Sequence, residues 1–79
     1  MKASVEISLK DGILDPQAKT IFNALQTLGF ECVRDLKIAK KMTLDLDLDD
    51  ENCAREQLEA MARDLLANPV IENYKIEIL

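Results

Sequence analysis

The chain has 79 residues, of which 15 are acidic and 10 basic, so its formal net charge at pH 7 is -5. It has no His or Trp and only two Gly residues, which excludes the usual neutral-pH general base, the commonest zinc ligand and a Gly-rich phosphate loop. Its 48% hydrophobic and 32% charged residues are typical of one small soluble globular domain, which we assign to residues 1–79.

The first strand and the first helix have clear local signals. Apolar and polar residues alternate over residues 4–10, which predicts a half-buried strand. A helix is predicted from Asp15 and Pro16, because Asp can accept the free amide hydrogens as an N-cap and Pro suits the first helical position. An apolar stripe follows at helical spacing, and Gly29 suits the left-handed position at which the helix ends.

Two strands joined by a turn are predicted after this helix. The first covers Phe30–Ala39, with Leu36 and Ile38 as its clearest inward residues. Lys40-Lys41 offers the turn, and Met42–Leu48 follows with the cleanest alternation of apolar and polar residues in the chain. Each of these strands is therefore expected to have one buried face.

A second helix and a last strand complete the predicted order. Asp49 or Asp50 can cap this helix, Pro69 cannot continue it, and the last strand covers Val70–Leu79. The order βαββαβ predicts an α+β two-layer sandwich of the ferredoxin-like type, in which two helices cover one face of an antiparallel sheet. The open face and the edges of this sheet are expected to mediate oligomerisation.

The size of the chain predicts that it associates with copies of itself. A domain this small buries a modest fraction of its surface, so we expect a homodimer or a higher homo-oligomer. No apolar run exceeds three residues, which excludes a membrane span, and charge appears too early for a signal peptide. We therefore expect a cytoplasmic protein.

Two groups of side chains offer sites that we disfavour. The run Asp45–Asp49 resembles the start of a calcium loop, with Glu56 at its twelfth position. Asp50 stands where that loop requires Gly, so a solvated strand face is the better interpretation. Cys32 and Cys53 have no His to activate them and are interpreted as small buried residues.

Binding of nucleic acid is also disfavoured. Arg34, Lys37, Lys40 and Lys41 form the only basic cluster, and the chain has one Tyr and two Phe residues in all. A sheet that binds single-stranded RNA needs aromatic residues on its surface, and the net charge here is acidic. Lys40 remains available to an anionic group on a partner protein.

Two loops contain bulky residues that capping and turn formation do not explain. Leu14 precedes one turn, and Val70 and Ile71 follow another. Such residues either extend the core or form a docking surface, and the residues alone leave both interpretations open.

These loops resemble those of the PurS family, the small subunit of bacterial and archaeal phosphoribosylformylglycinamidine (FGAM) synthase. The similarity covers nearly the whole chain. It includes Val5–Lys10, Leu14–Gln17, Leu28–Phe30, the turn at Lys40 and Leu65–Tyr74.

The resemblance implies a subunit of an amidoligase that acts in de novo purine synthesis. In the family, a glutaminase subunit releases ammonia, and a large synthetase subunit uses ATP and Mg²⁺ to activate the amide of formylglycinamide ribonucleotide. PurS bridges these two subunits and assists ammonia transfer between them. We therefore expect no catalytic residue, metal or cofactor on this chain. The alternative from another class is an ACT-like regulatory domain that binds a small molecule.

The resemblance also selects the residues expected to contact partners. They lie in the first loop, in the middle turn and after the second helix: Leu14, Asp15, Pro16, Gln17, Lys40, Asn68, Pro69, Val70, Ile71, Glu72 and Tyr74. The chain departs from the family pattern at two positions beside these loops: Ala18 and Ala39 stand where the family usually has Gly.

Overall fold

The computed structural model describes residues 1–79 and contains one antiparallel sheet and two helices. The elements are β1 (Lys2–Leu9), α1 (Pro16–Thr27), β2 (Ala39–Asp45), α2 (Glu51–Met61) and β3 (Glu72–Ile78). A π-helical turn over Ala62–Leu66 continues α2. The strand order is β2-β1-β3, so β1 is the central strand. The predicted α+β class with an antiparallel sheet is confirmed.

Both helices begin at the predicted caps. The Asp15 carboxylate accepts a hydrogen bond from the Gln17 amide at 3.0 Å, and the Asp50 carboxylate accepts one from the Asn52 amide at 3.0 Å. Gly29, just after α1, has a φ of 97°, which is the left-handed conformation that glycine adopts without strain. Local sequence signals therefore determine where both helices begin.

The core lies between β1 and α2 on one face of the sheet. Ala3, Val5 and Ile7 point to this face from the central strand and are fully buried, as is Leu58 of α2. The opposite face is polar, and Glu6 lies between two lysines across the three strands. Only 9 of the 79 residues are buried, so the core is small.

Helix α1 lies beyond the end of the sheet, which corrects the prediction that both helices cover one face. Ala18 is its only buried residue, whereas Ile21 is 40% and Leu28 73% exposed. The chain extends over 50 × 25 × 14 Å, and its radius of gyration of 16.1 Å exceeds the roughly 12 Å expected for a compact domain of this length. The connection from α1 to β2 is long and irregular, and α1 does not pack on the sheet.

The strand predicted over Phe30–Ala39 is not formed, and only Ala39 belongs to a strand. Both edges of β1 are occupied by β2 and β3, and this segment does not pair with the outer edge of either strand. Lys40-Lys41 lies within β2 rather than in a turn, because Lys40 and Lys41 pair with Ile7 and Glu6. The ends of the other predicted strands also shift. Pairing with β1 ends β2 at Asp45 instead of Leu48 and begins β3 at Glu72 instead of Val70.

The cysteines also differ from the prediction that they are buried. Cys32 is exposed and Cys53 half-buried, and both thiols are free. Cys32 lies in a turn after α1 instead of on a strand, so no sheet face covers it. Neither helix is long and apolar enough to cross a membrane.

Candidate partner-binding surface

Three separate segments of the chain meet at one end of the sheet. The strand β1 ends at Leu9, and both of its antiparallel neighbours begin at this end. In register, Ile7 lies opposite Lys40 and Leu9 lies opposite Glu72, so these four side chains share one face. The first loop leaves β1 at the same place. Antiparallel pairing is therefore what gathers residues that are far apart in sequence.

A shallow concavity of about 290 Å³ marks this convergence. Six of the eleven predicted contact residues line it: Leu14, Asp15, Pro16, Gln17, Lys40 and Glu72. It carries both signs of charge beside an exposed apolar side chain, because Leu14 is 69% exposed. An apolar centre with polar groups around it is typical of protein-binding surfaces.

The remaining loop residues form a compact turn before β3. The Asn68 side-chain oxygen accepts a hydrogen bond from the Val70 amide at 3.0 Å, and the Glu72 carboxylate accepts one from the Asn68 amide at 2.8 Å. These bonds leave Val70 at the tip, where it is 77% exposed. We call Asn68–Ile71 the α2–β3 loop. Lys10 connects it to the end of β1, and the sequence did not single out this lysine.

Tyr74 is the predicted contact residue that lies neither in the concavity nor in the α2–β3 loop. Its hydroxyl donates a hydrogen bond to the Glu59 carboxylate at 2.7 Å, which ties β3 to α2. This hydrogen bond, followed by burial and the negative charge of Glu59, raises the pKa of Tyr74 above its ordinary value, while Arg63 opposes the shift. Glu59 was not predicted, because no local pattern indicates a partner on another element.

We expect the titration of Tyr74 to report this contact directly, since it is the only Tyr and the chain has no Trp. Tyrosinate absorbance should rise with a midpoint above pH 10.0, and Glu59→Gln should lower that midpoint because it removes the negative charge. Because the folded pKa is raised, the contact stabilises the fold below pH 10.0, and this stabilisation is lost as the pH rises through the folded pKa.

Glu56→Gln is the matched control, because Glu56 is an exposed residue of the same helix that makes no bond to Tyr74. Circular dichroism at each pH verifies that the chain stays folded. A midpoint in the unmodified chain equal to that of a free tyrosine would show that the bond is absent in solution.

A larger open cavity, of about 520 Å³, separates α1 from the end of the sheet. Phe22 and Leu36 contribute apolar walls, while Lys10, Arg34 and Asp35 contribute charges of both signs. No group of three or more Cys, Asp or Glu side chains is placed so that it could hold a metal ion. The cavity exists because α1 does not cover the sheet.

Comparison with known proteins shows the family to which the chain belongs. A sequence model of PurS, phosphoribosylformylglycinamidine (FGAM) synthase, matches residues 2–79. The chain belongs to the PurS family. The PurS subunit of Methanocaldococcus jannaschii is 40% identical over 77 residues, which cover 98% of this chain and 93% of the relative. The Bacillus subtilis PurS subunit is 36% identical over 77 residues, with 98% and 90% covered.

Solved PurS structures have the same fold. The crystal structure of Methanocaldococcus jannaschii PurS, described as a subunit of formylglycinamide ribonucleotide amidotransferase in purine biosynthesis, has a TM-score of 0.86 at 41% identity. That match covers 96% of this chain and 92% of the other. A chain of the PurLQS structure from Thermotoga maritima has a TM-score of 0.88 at 26% identity, with 99% and 95% covered.

The family resemblance and the assignment to FGAM synthase in purine biosynthesis are thus confirmed. An ACT-like regulatory domain is not favoured. The match to the family model covers residues 2–79 and therefore includes the residues that line the candidate surface.

Proposed function

We propose that the chain is the non-catalytic small subunit that bridges the glutaminase and the ATP-dependent synthetase of FGAM synthase and assists ammonia transfer between them. The observation that carries this proposal is the convergence of three segments of the chain at one end of the sheet, in a chain that matches PurS over residues 2–79. The PurLQS structure of a relative supports a role within such a complex.

The chemistry of the surface favours binding over group transfer. Asp15, Lys40 and Glu72 supply charges of both signs around the exposed Leu14 side chain. In our proposal ATP, Mg²⁺ and glutamine are bound by the two partner subunits in the cytoplasm, and this chain holds no cofactor.

The exposed surface of the chain supports association with a second copy. The accessible area of 5967 Å² exceeds the roughly 4,800 Å² expected for a compact protein of 8.9 kDa by about 1,200 Å². A stable dimer buries about 800 Å² on each partner, so the excess is sufficient for one.

The position of that excess indicates how the copies meet. Helix α2 packs on the β3 side of the sheet, which leaves Met42 and Leu44 of β2 only half-buried. The apolar stripe of α1 is uncovered in the same chain. We propose that α1 of a second copy covers the β2 side of the core face. Association through the sheet edges stays a prediction, and the open face is polar.

The bridging role predicts that changes in the α2–β3 loop weaken the complex. Replacing both Asn68 and Pro69 with alanine removes the side-chain bond to the Val70 amide and the rigid φ angle, so the loop loses its ordered turn. We expect assembly with the glutaminase and synthetase to weaken by about tenfold, as followed by sedimentation velocity.

Asn52→Ala is the control, because Asn52 is an exposed residue at the start of α2 and lies outside the loop. Equal assembly of the double variant and the unmodified chain would exclude the loop as a contact. If the glutaminase and the synthetase assembled equally well without this chain, the bridging role would be contradicted.

A further inference from the structure

Lys10 connects the first loop, which leads to Asp15, with the α2–β3 loop. Its ammonium group donates a hydrogen bond to the Pro69 carbonyl at 2.9 Å, and its backbone amide donates one to the Ile71 carbonyl at 2.8 Å. The residue follows the last residue of β1 and begins the segment that leads to Asp15. One residue therefore connects the end of the central strand to a loop 59 positions away.

The contact of Lys10 is directed at the least supported part of the α2–β3 loop. Asn68 is held by the Glu72 carboxylate, and Ile71 and Glu72 donate backbone bonds to the Asn68 carbonyl. The Pro69 carbonyl accepts no backbone hydrogen bond in this network, and the Lys10 ammonium group is its hydrogen-bond donor. Lys10 also forms no ion pair within the chain, so its charge is directed at this carbonyl.

The consequence of this bond is an exposed apolar tip in a defined position. Val70 follows Pro69 directly and is 77% exposed. Binding through a mobile loop costs conformational entropy, whereas a loop that is already ordered avoids part of that cost. The hydrogen bond from Lys10 orders Pro69 and therefore favours binding of the Val70 tip, although Lys10 itself does not contact the partner.

We propose that Lys10 is a positioning residue for partner binding, which holds the α2–β3 loop against the end of β1 so that both loops meet a catalytic subunit as one preformed surface. This inference rests on the proposed function. Glu72 supports the same arrangement from the other side, since it lines the concavity and also accepts the bond from the Asn68 amide.

The test uses three variants of the full chain with the glutaminase and synthetase. Lys10→Met keeps an unbranched side chain and removes the donor, Lys10→Arg keeps a donor, and Lys75→Met makes the same change at an exposed lysine of β3. Each variant is titrated into fixed amounts of both subunits while glutamine-dependent product formation is followed. The readout separates the half-saturating concentration of the small subunit from the maximal rate.

We expect Lys10→Met to raise the half-saturating concentration about three- to tenfold, the effect of losing one solvent-exposed hydrogen bond, with the maximal rate unchanged. Lys10→Arg should restore binding to within about twofold of the unmodified chain, and Lys75→Met should leave it unchanged. Amide hydrogen exchange of the isolated chain should be faster at Val70 in Lys10→Met, with exchange of the core amides of β1 unchanged.

Two results would overturn the proposal. One is an unchanged half-saturating concentration in Lys10→Met, and the other is unchanged exchange at Val70. Failure of the unmodified chain to support glutamine-dependent synthesis would instead contradict the proposed function. The exchange experiment on the isolated chain would still decide whether Lys10 orders the loop.

Discussion

Replacing Leu58 with alanine is expected to lower the free energy of unfolding by about 2–5 kcal/mol, because the substitution leaves a cavity in the core. Leu58 is fully buried and packs against the core residues of β1. With only 9 of 79 residues buried, the core has few other side chains that can fill the space. Since small domains are stable by about 5–15 kcal/mol, this one change should remove a large part of the total.

Chemical denaturation at a fixed protein concentration measures the effect of Leu58→Ala. Leu65→Ala is the matched control, because it deletes the same atoms from a side chain that is 83% exposed and should change stability by less than about 0.5 kcal/mol. If Leu58→Ala were as mild as Leu65→Ala, α2 would not pack on the sheet as described.

Replacing Ile21 with aspartate is expected to dissociate the proposed homo-oligomer into monomers. Ile21 belongs to the apolar stripe of α1 and is 40% exposed in the single chain. In the proposed dimer this stripe covers Met42 and Leu44 of the second copy, so aspartate would be buried there without a partner. Burial of an unpaired charge costs several kcal/mol, and the dissociation constant should rise by at least about 100-fold.

Asn23→Asp introduces the same charge on the opposite, exposed side of α1 and should leave the oligomer intact. Sedimentation equilibrium distinguishes a monomer of 8.9 kDa from any oligomer. An Ile21→Asp chain with the mass of the unmodified oligomer would show that α1 is not the self-association surface. Association through the sheet edges would then be the remaining prediction.

The parts of the fold that follow from local chemistry were predictable from the sequence. The caps Asp15 and Asp50 and the left-handed Gly29 occupy the predicted positions, because each depends on neighbouring residues alone. The segment Phe30–Ala39 was not predictable in this way. Its alternation suggests one buried face, but the segment pairs with neither free edge of the sheet, and pairing with a distant strand is not encoded by the alternation.

The candidate surface shows the same division. The resemblance supplied Asp15, Lys40 and Glu72, yet their convergence depends on the pairing register of β1, which no local pattern encodes. Lys10 and Glu59 were missed because their partners lie 59 and 15 positions away. Long-range hydrogen bonds of this kind become visible only once the strands are in place.

The most direct measurement of the proposed bridging role compares two nitrogen sources in the reconstituted synthase. The glutaminase and synthetase are assayed for FGAM formation with and without this chain, once with glutamine and once with ammonium chloride. A bridge raises the local concentration of ammonia for the synthetase, so the chain should raise the glutamine-dependent rate by at least about tenfold. The ammonium-dependent rate should stay the same, because free ammonia needs no bridge. Equal stimulation of both rates, or of neither, would contradict the account.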